Sequence, residues 1–351
     1  MTSQLSILPA TAPVVGFEPR GPLSALVLAT LASPGPVDGR ALLEAGRRAA
    51  IDTDVTSDDD VQLTLFTLYA LAYGSLDQVR ADLEWCPELI ALRTRLETAF
   101  ETAVRAQVEL PELPAPRASE VARALFALTQ APGGPGLARY VAKRATLAEV
   151  RELIVHRTIY TLREADPHSW AIPRLVGRPK AALVEIQADE YGGGDPERVH
   201  ATMFARTVRG LGLDDRYGAY VDHVPALTLA SLNLMSMFGL NRRLRGAIVG
   251  HLAAFEMTSS IPSRFYAEGL RRLGLDDDVA AYYDEHVEAD AVHEQIAAHE
   301  LAGTLAEDEP ALLGDIMFGA AACLKVDDWV GDAILAAWQA GESSLRVPLA
   351  P

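Results

Sequence analysis

The feature that most limits what this chain can fold into is the way its apolar residues are grouped. The stretch VQLTLFTLYALAYGSLDQVRADL, residues 61–83, follows the acidic run TSDDD, and ALTLASLNLMSMFGL and AIVGHLAAFEM are of the same kind. Their apolar residues come in Ala- and Leu-rich runs, without the sustained Val/Ile/Thr alternation of half-buried strands. Hydrophobic residues are 49 % of the chain and aromatic residues only 7 %. That balance favours helices over sheets and supplies a large core. The chain reads as all-α, a helical bundle.

Punctuation divides it. Residues 1–37 are rich in Pro, Ala and Gly and lack an amphipathic repeat, so they read as an irregular N-terminal arm. Residues 38–116 read as an N-terminal helical extension that closes in the linker PELPAP, and 117–345 as the main helical domain. Within it Thr146 and Glu149 form a capping box for a helix expected to run to about Ala165, where Asp166–Pro167 stops it. KAALVEIQADEY begins another helix, which GGGDP interrupts. Asp195 and Pro196 suit its restart, as cap and first-turn residue. RRLRGAIVGHLAAFEMTSS and PSRFYAEGLRRLGL read as two helices, and VAAYYDEHVEADAVHEQIAAHELAGTLA as one long one. The small pair Gly246 and Gly250 suits close helix packing.

The formal charge of −17 argues against a broad nucleic-acid surface, which needs clustered Lys and Arg. Cys86 and Cys323 form no CxxC, so neither a thiolate zinc site nor a disulfide framework is expected. The N-terminus lacks the basic start and apolar run of a signal peptide, and no apolar run reaches the roughly 20 residues of a membrane span. A soluble cytoplasmic protein is the expectation.

The chemistry gathers in a few places. His286, Asp290 and His293 stand at i, i+4 and i+7, one face of a helix. Glu197 and His200 form Glu-x-x-His, and Asp290 and His293 form Asp-x-x-His. Helical di-iron carboxylate proteins use such pairs on two helices and one Glu from each of two more. Glu164 ends the capped helix, and Glu256 follows the apolar LAAF, where an unpartnered carboxylate is costly to bury. Imidazole and carboxylate suit iron, manganese or zinc, and two divalent ions balance Glu164, Glu197, Glu256 and Asp290. His168 reads as a loop residue, and His251 as packing. Glu185 and Asp189 read as partners that orient imidazoles or as exposed acids.

The strings LREADPHSWAIPRL…KAALVEIQADEYGGGDPERVH and EHVEADAVHEQIA resemble the iron-containing redox enzymes of the heme-oxygenase-like di-iron oxidase superfamily, over roughly 117–340. The resemblance implies a heme-oxygenase-like bundle with extra N-terminal helices, holding two Fe ions in place of heme. It implies metal ligands at Glu164, Glu197, His200, Glu256, His286, Asp290 and His293, and adds Glu190, one heptad before Glu197. It implies O2 as co-substrate and N-oxygenation or oxidative C–C or C–H cleavage of a small amine, amino acid or fatty-acid-like molecule. An external electron donor and a homodimer are compatible with it. The alternatives are a non-catalytic helical metal-binding or interaction protein, and a cofactorless or heme-type protein of the same fold. The glycines of GGGDP read either as a device that lets the second helix deform or as an ordinary loop.

Overall fold

The computed structural model describes residues 16–74, 81–130 and 136–350; the side chains of Asp52, Ala81, Glu288, Asp290 and Ala291 lie outside the described set. Among the described residues every regular element is a helix. The N-terminal part holds α1 (Pro22–Ala32), α2 (Gly39–Asp52), α3 (Asp59–Tyr73) and α4 (Pro87–Gln107). The arm expected to be irregular through residue 37 therefore contains a helix. Asp60 accepts hydrogen bonds from the backbone N–H groups of Leu23 and Ser24 at its start, a cap supplied from α3 that no local pattern announces. Asp58 caps α3 through Val61 N–H, and Gly74 ends it in the left-handed region at φ 64°.

The remainder comprises α5 (Ala118–Thr129), α6 (Gly136–Lys143), α7 (Leu147–Thr161), α8 (Asp166–Ser169), α9 (Gly177–Glu190), α10 (His200–Gly210), α11 (Ala226–Leu240), α12 (Arg245–Arg272), α13 (Asp277–Gln295), α14 (Thr304–Asp308) and α15 (Leu313–Gln339). The Thr146–Glu149 capping box forms as read: Glu149 N–H donates to Thr146 Oγ1 at 3.2 Å, and Thr146 N–H donates to Glu149 Oε2 at 2.6 Å. The helix ends at Thr161 rather than near Ala165, and Asp166–Pro167 opens a new turn instead of closing the old one. The two segments expected on either side of Pro262 form one helix, α12. Proline costs it one backbone hydrogen bond, and packing along both halves holds it. The long late helix is also divided: α13 passes into a π-helical stretch, Ile296–Gly303, before α14.

Two apolar clusters fill the molecule. Val61 and Leu65 of α3 share one with Leu234 of α11 and Ile316 of α15, so this core crosses the PELPAP linker. The other joins Ile154 of α7, Phe204 of α10 and Tyr282 of α13. Helix α12 belongs to both, through Ala253 in the first and Tyr266 in the second. Glu256 lies on the length of α12 between them. Gly250 and Gly319 let α12 and α15 touch backbone to backbone, as the small-residue spacing suggested for Gly250. No described helix is long and apolar enough to cross a membrane.

Candidate metal centre

The chain leaves α7 through Ala165, the one described non-glycine residue at positive φ (72°). That strained turn leaves Glu164 buried and reverses the chain into α8. Gln187 of α9 holds it: its Nε2 donates to Ala165 O at 2.9 Å and to Ser169 Oγ at 2.6 Å. Tyr282 of α13 donates to the Glu164 carboxylate, 2.8 Å from either oxygen.

Helix α9 ends on Glu190. Gly192, Gly193 and Gly194 then follow at φ 71°, 60° and 91°, a run of left-handed backbone that only glycine adopts readily. At Gly192 a Cβ would also stand 2.7 Å from Arg198 C and Val199 N. Asp195 Oδ1 accepts from Glu197 N–H at 3.0 Å, closing a tight turn before His200 opens α10. The glycines thus make a loop that returns the chain on itself. His200 Nδ1 comes to 3.0 Å from Glu190 Oε2.

This loop corrects the reading of Glu197. The residue lies in the turn before α10, so Glu197 and His200 are not one helical turn apart. Its side chain is 65 % exposed and pairs with Arg206. The carboxylate beside His200 is that of Glu190. The side chain of Asp290 lies outside the described residues.

Helix α13 brings two imidazoles. His286 Nδ1 donates to Tyr282 O at 2.8 Å, which leaves Nε2 toward Glu164, 3.6 Å away. His293 Nδ1 stands 3.4 Å from Glu256 Oε2 and 3.8 Å from Glu190 Oε1, and its Nε2 is 3.0 Å from Asp189 Oδ2. Asp189 is therefore the half-exposed acid that orients His293. Two donor groups result: Glu164, Glu190, His200 and His286, and Glu190, Glu256 and His293, each with its ligand atoms within 4.8 Å of one another. Glu190 belongs to both.

The donors fit cations. Glu164, Glu190, Glu256, His200, His286 and His293 are all buried. The Nδ1 atoms of His200 and His293 are buried and make no hydrogen bond, although carboxylate oxygens face them. Atoms that converge without bonding one another are arranged for something between them. Burial pushes the Glu256 carboxyl up, against the pull of His293. Burial also acts against Glu190, but His200, His286 and His293 outweigh it and hold its carboxyl below the usual range. Burial would depress His293, yet Glu256, Glu190 and Asp189 raise it to about 9.

That shift has a measurable sign. Metal-free, His293 binds its proton more tightly folded than unfolded, so its contribution is complete below about pH 6.5 and is lost as pH rises through about 9. The metal-free protein should melt lower at pH 9 than at pH 6.5. A metal must displace that proton, so affinity should rise over the same range and loading at pH 7 should release protons. Thermal melts and a pH-stat titration check both signs.

Beside the carboxylates lies a small cavity, about 10 Å³, room for about one water. Tyr160, Ala165, His168, Gln187, Leu252, Phe255, Ser259 and His286 complete its wall. His168 is not a loop residue but a buried one on α8, its Nε2 3.2 Å from His251 Nδ1. Burial holds His168 down at about 4 and also pushes His251 well below the ordinary imidazole value, so both are neutral near pH 7. Tyr282 and the π-helical stretch drew no attention in the sequence; the only local signal for Tyr282 is its place one turn before His286.

Comparison with known proteins places the chain in a family. Residues 151–328 match the family described as iron-containing redox enzyme. Over 147 residues the chain is 28 % identical to a nitrosourea synthase of Streptomyces achromogenes subsp. streptozoticus, covering 42 % of this chain and 31 % of that protein. The chain thus matches under a third of that relative's length. A crystal structure of a Cadd-like protein of unknown function from Nostoc punctiforme aligns at a TM-score of 0.44 and 16 % identity, over 68 % of this chain and 97 % of that one. The family match spans half of the chain and includes all six buried donors, Glu164, Glu190, His200, Glu256, His286 and His293: the protein belongs to the iron-containing redox enzymes.

Proposed function

We propose that this protein is an O2-activating non-heme di-iron oxidase or oxygenase acting on a small amine, amino acid or fatty-acid-like substrate. The observation that carries the reading is Glu190, one buried carboxylate common to two groups of metal-binding side chains. The two groups would each hold one cation, with Glu190 serving both, and a pair of cations so held would supply two-metal chemistry. Iron held there would supply the electrons that activate dioxygen.

The chain's own residues prepare the place. Tyr282 holds Glu164 by a hydrogen bond, and the Tyr282 carbonyl fixes the His286 ring so that Nε2 faces inward. Asp189 does the same for His293 from the solvent side. Such outer partners orient ligands and raise their basicity. Leu252 and Phe255 make a dry wall that limits water near the carboxylates. A substrate larger than water reaches them only when wall side chains move. The likeness to a nitrosourea synthase supports a nitrogen-bearing substrate.

Anaerobic Fe(II) titration tests the reading. Two irons per chain and an absorbance transient on mixing with O2 are expected. One iron, or none, or no response to O2, overturns it in favour of a helical protein without this chemistry.

A further inference from the structure

Anything that reaches the buried carboxylates must pass some part of the cavity wall, and the wall has one weak side. Among the described residues that line it, all are buried except Tyr160, Phe255 and Ser259, which are partly exposed. Phe255 and Ser259 stand at i and i+4, on one face of α12. Tyr160 lies in the last turn of α7. Helix α7 packs on α10 and α11, and α12 mainly on α6, α13 and α15, so a seam runs between the two. It is also the seam between the two apolar clusters: Phe255 packs against the first and Tyr160 against the second. The two rings close it, with centroids 5.4 Å apart and planes at 86°, edge against face.

The rings are not held alike. Ala165 N–H points to the Tyr160 hydroxyl at 3.5 Å, which ties that ring to the turn carrying Glu164. Phe255 has ring contacts only: besides Tyr160 it stacks on His251 at 5.8 Å and leans on His168 at 6.3 Å. Turning it toward solvent breaks no hydrogen bond and needs no movement of the α12 backbone. An aromatic pair of this geometry is worth at most about tenfold in population, so the closure is weak enough to open and close readily.

We propose that Phe255 is the gate of this cavity: its ring swings away from Tyr160 to admit a molecule between α7 and α12, and the opening it leaves sets how wide that molecule can be. The inference rests on the reading of this cavity as the substrate side of a metal site. It adds a route of entry to that reading, and a selection by width rather than by charge. Tyr160 is the fixed jamb and Phe255 the moving leaf, and gating of this kind controls access without touching the reacting atoms.

The experiment uses the whole chain loaded anaerobically with Co(II), whose visible absorption changes when a new ligand reaches the metal. Stopped-flow mixing gives the rate of entry of azide, which is slender, and of acetohydroxamate, which is broader. Cobalt content is read first. Fewer than two per chain overturns the di-metal reading, while the gate is still judged on the cobalt that binds; no cobalt at all overturns both. In Phe255→Ala the acetohydroxamate rate should rise about tenfold and the azide rate change little, so that the ratio of the two falls. Phe255→Trp should move the ratio the other way. Tyr160→Ala, on the facing helix, should reproduce the effect of Phe255→Ala, which keeps the test decisive if either variant folds poorly. Leu252→Ala enlarges the same cavity from its buried side and should leave the ratio where it was. A loss of packing alone would alter melting temperature or cobalt content without moving the ratio. An unchanged ratio in Phe255→Ala and Tyr160→Ala overturns the proposal. So does an equal change in Leu252→Ala, which would mean that cavity volume and not a gate sets entry.

Discussion

Replacing Glu190 by Ala should empty both metal positions at once. Every other buried donor here belongs to one group: Glu164, His200 and His286 to the first, Glu256 and His293 to the second. Glu190 alone belongs to both, with Oε2 3.0 Å from His200 Nδ1 and Oε1 3.8 Å from His293 Nδ1. Loss of a mere outer partner typically costs about 10–100-fold in metal affinity, so loss of a shared ligand should cost at least about 100-fold at each position. Iron content after desalting should drop from the proposed two per chain to well under one, while circular dichroism keeps its helical signal. The contrasting variant is Glu197→Ala. That side chain is exposed and paired with Arg206, so iron content should not change. Full iron in Glu190→Ala, or its loss in Glu197→Ala, would reverse the assignment of the second-helix carboxylate.

The largest expected loss of stability comes from two glycines that are not themselves donors. A Cβ at Gly250 would stand 1.8 Å from Ile316 O, and one at Gly319 would stand 1.9 Å from Ala247 O. These neighbours are backbone atoms and cannot rotate away, so α12 and α15 must separate. Overpacking typically costs about 1–3 kcal/mol, and more where nothing yields. Alanine's better helix propensity returns up to about 1 kcal/mol. A net loss of about 2 kcal/mol or more is expected for Gly250→Ala and for Gly319→Ala, read as a lower denaturant midpoint. Gly331, also within α15, has nothing within 4 Å of its notional Cβ. Gly331→Ala should therefore stabilise by about 0.5–1 kcal/mol. Equal midpoints for all three would mean that the helices are not in backbone contact. Gly250 lies six residues before Glu256 on α12, so Gly250→Ala should weaken metal binding as well.

The histidines show how far reading the chain could go. His286 and His293 lie on one face of α13 because a seven-residue interval is nearly two full turns, whatever surrounds the helix. Glu256 is marked in the sequence as an acid that follows an apolar run and must find partners, and Glu164 by its place at the close of the capped segment; both are buried among imidazoles. Glu197 failed because the Glu-x-x-His rule assumes an unbroken helix. Three consecutive left-handed glycines end α9, and the geometry of the loop makes Glu190, ten residues before His200, its neighbour. His168 was misplaced for a related reason: a residue after Asp-Pro looks like a loop, but α8 is held under His251 of α12 and Gln187 of α9.

Helix content, the capping box at Thr146, the apolar runs and the helical face of His286 and His293 could all be read from the chain, because each depends on neighbours within a turn or two. The choice of Glu190, the Tyr282 bond to Glu164 across 118 residues and the meeting of the Tyr160 and Phe255 rings appeared only once the helices were packed. Those contacts depend on where helices cross and how loops return, and that is set by the fit of whole apolar faces rather than by spacing along any one of them.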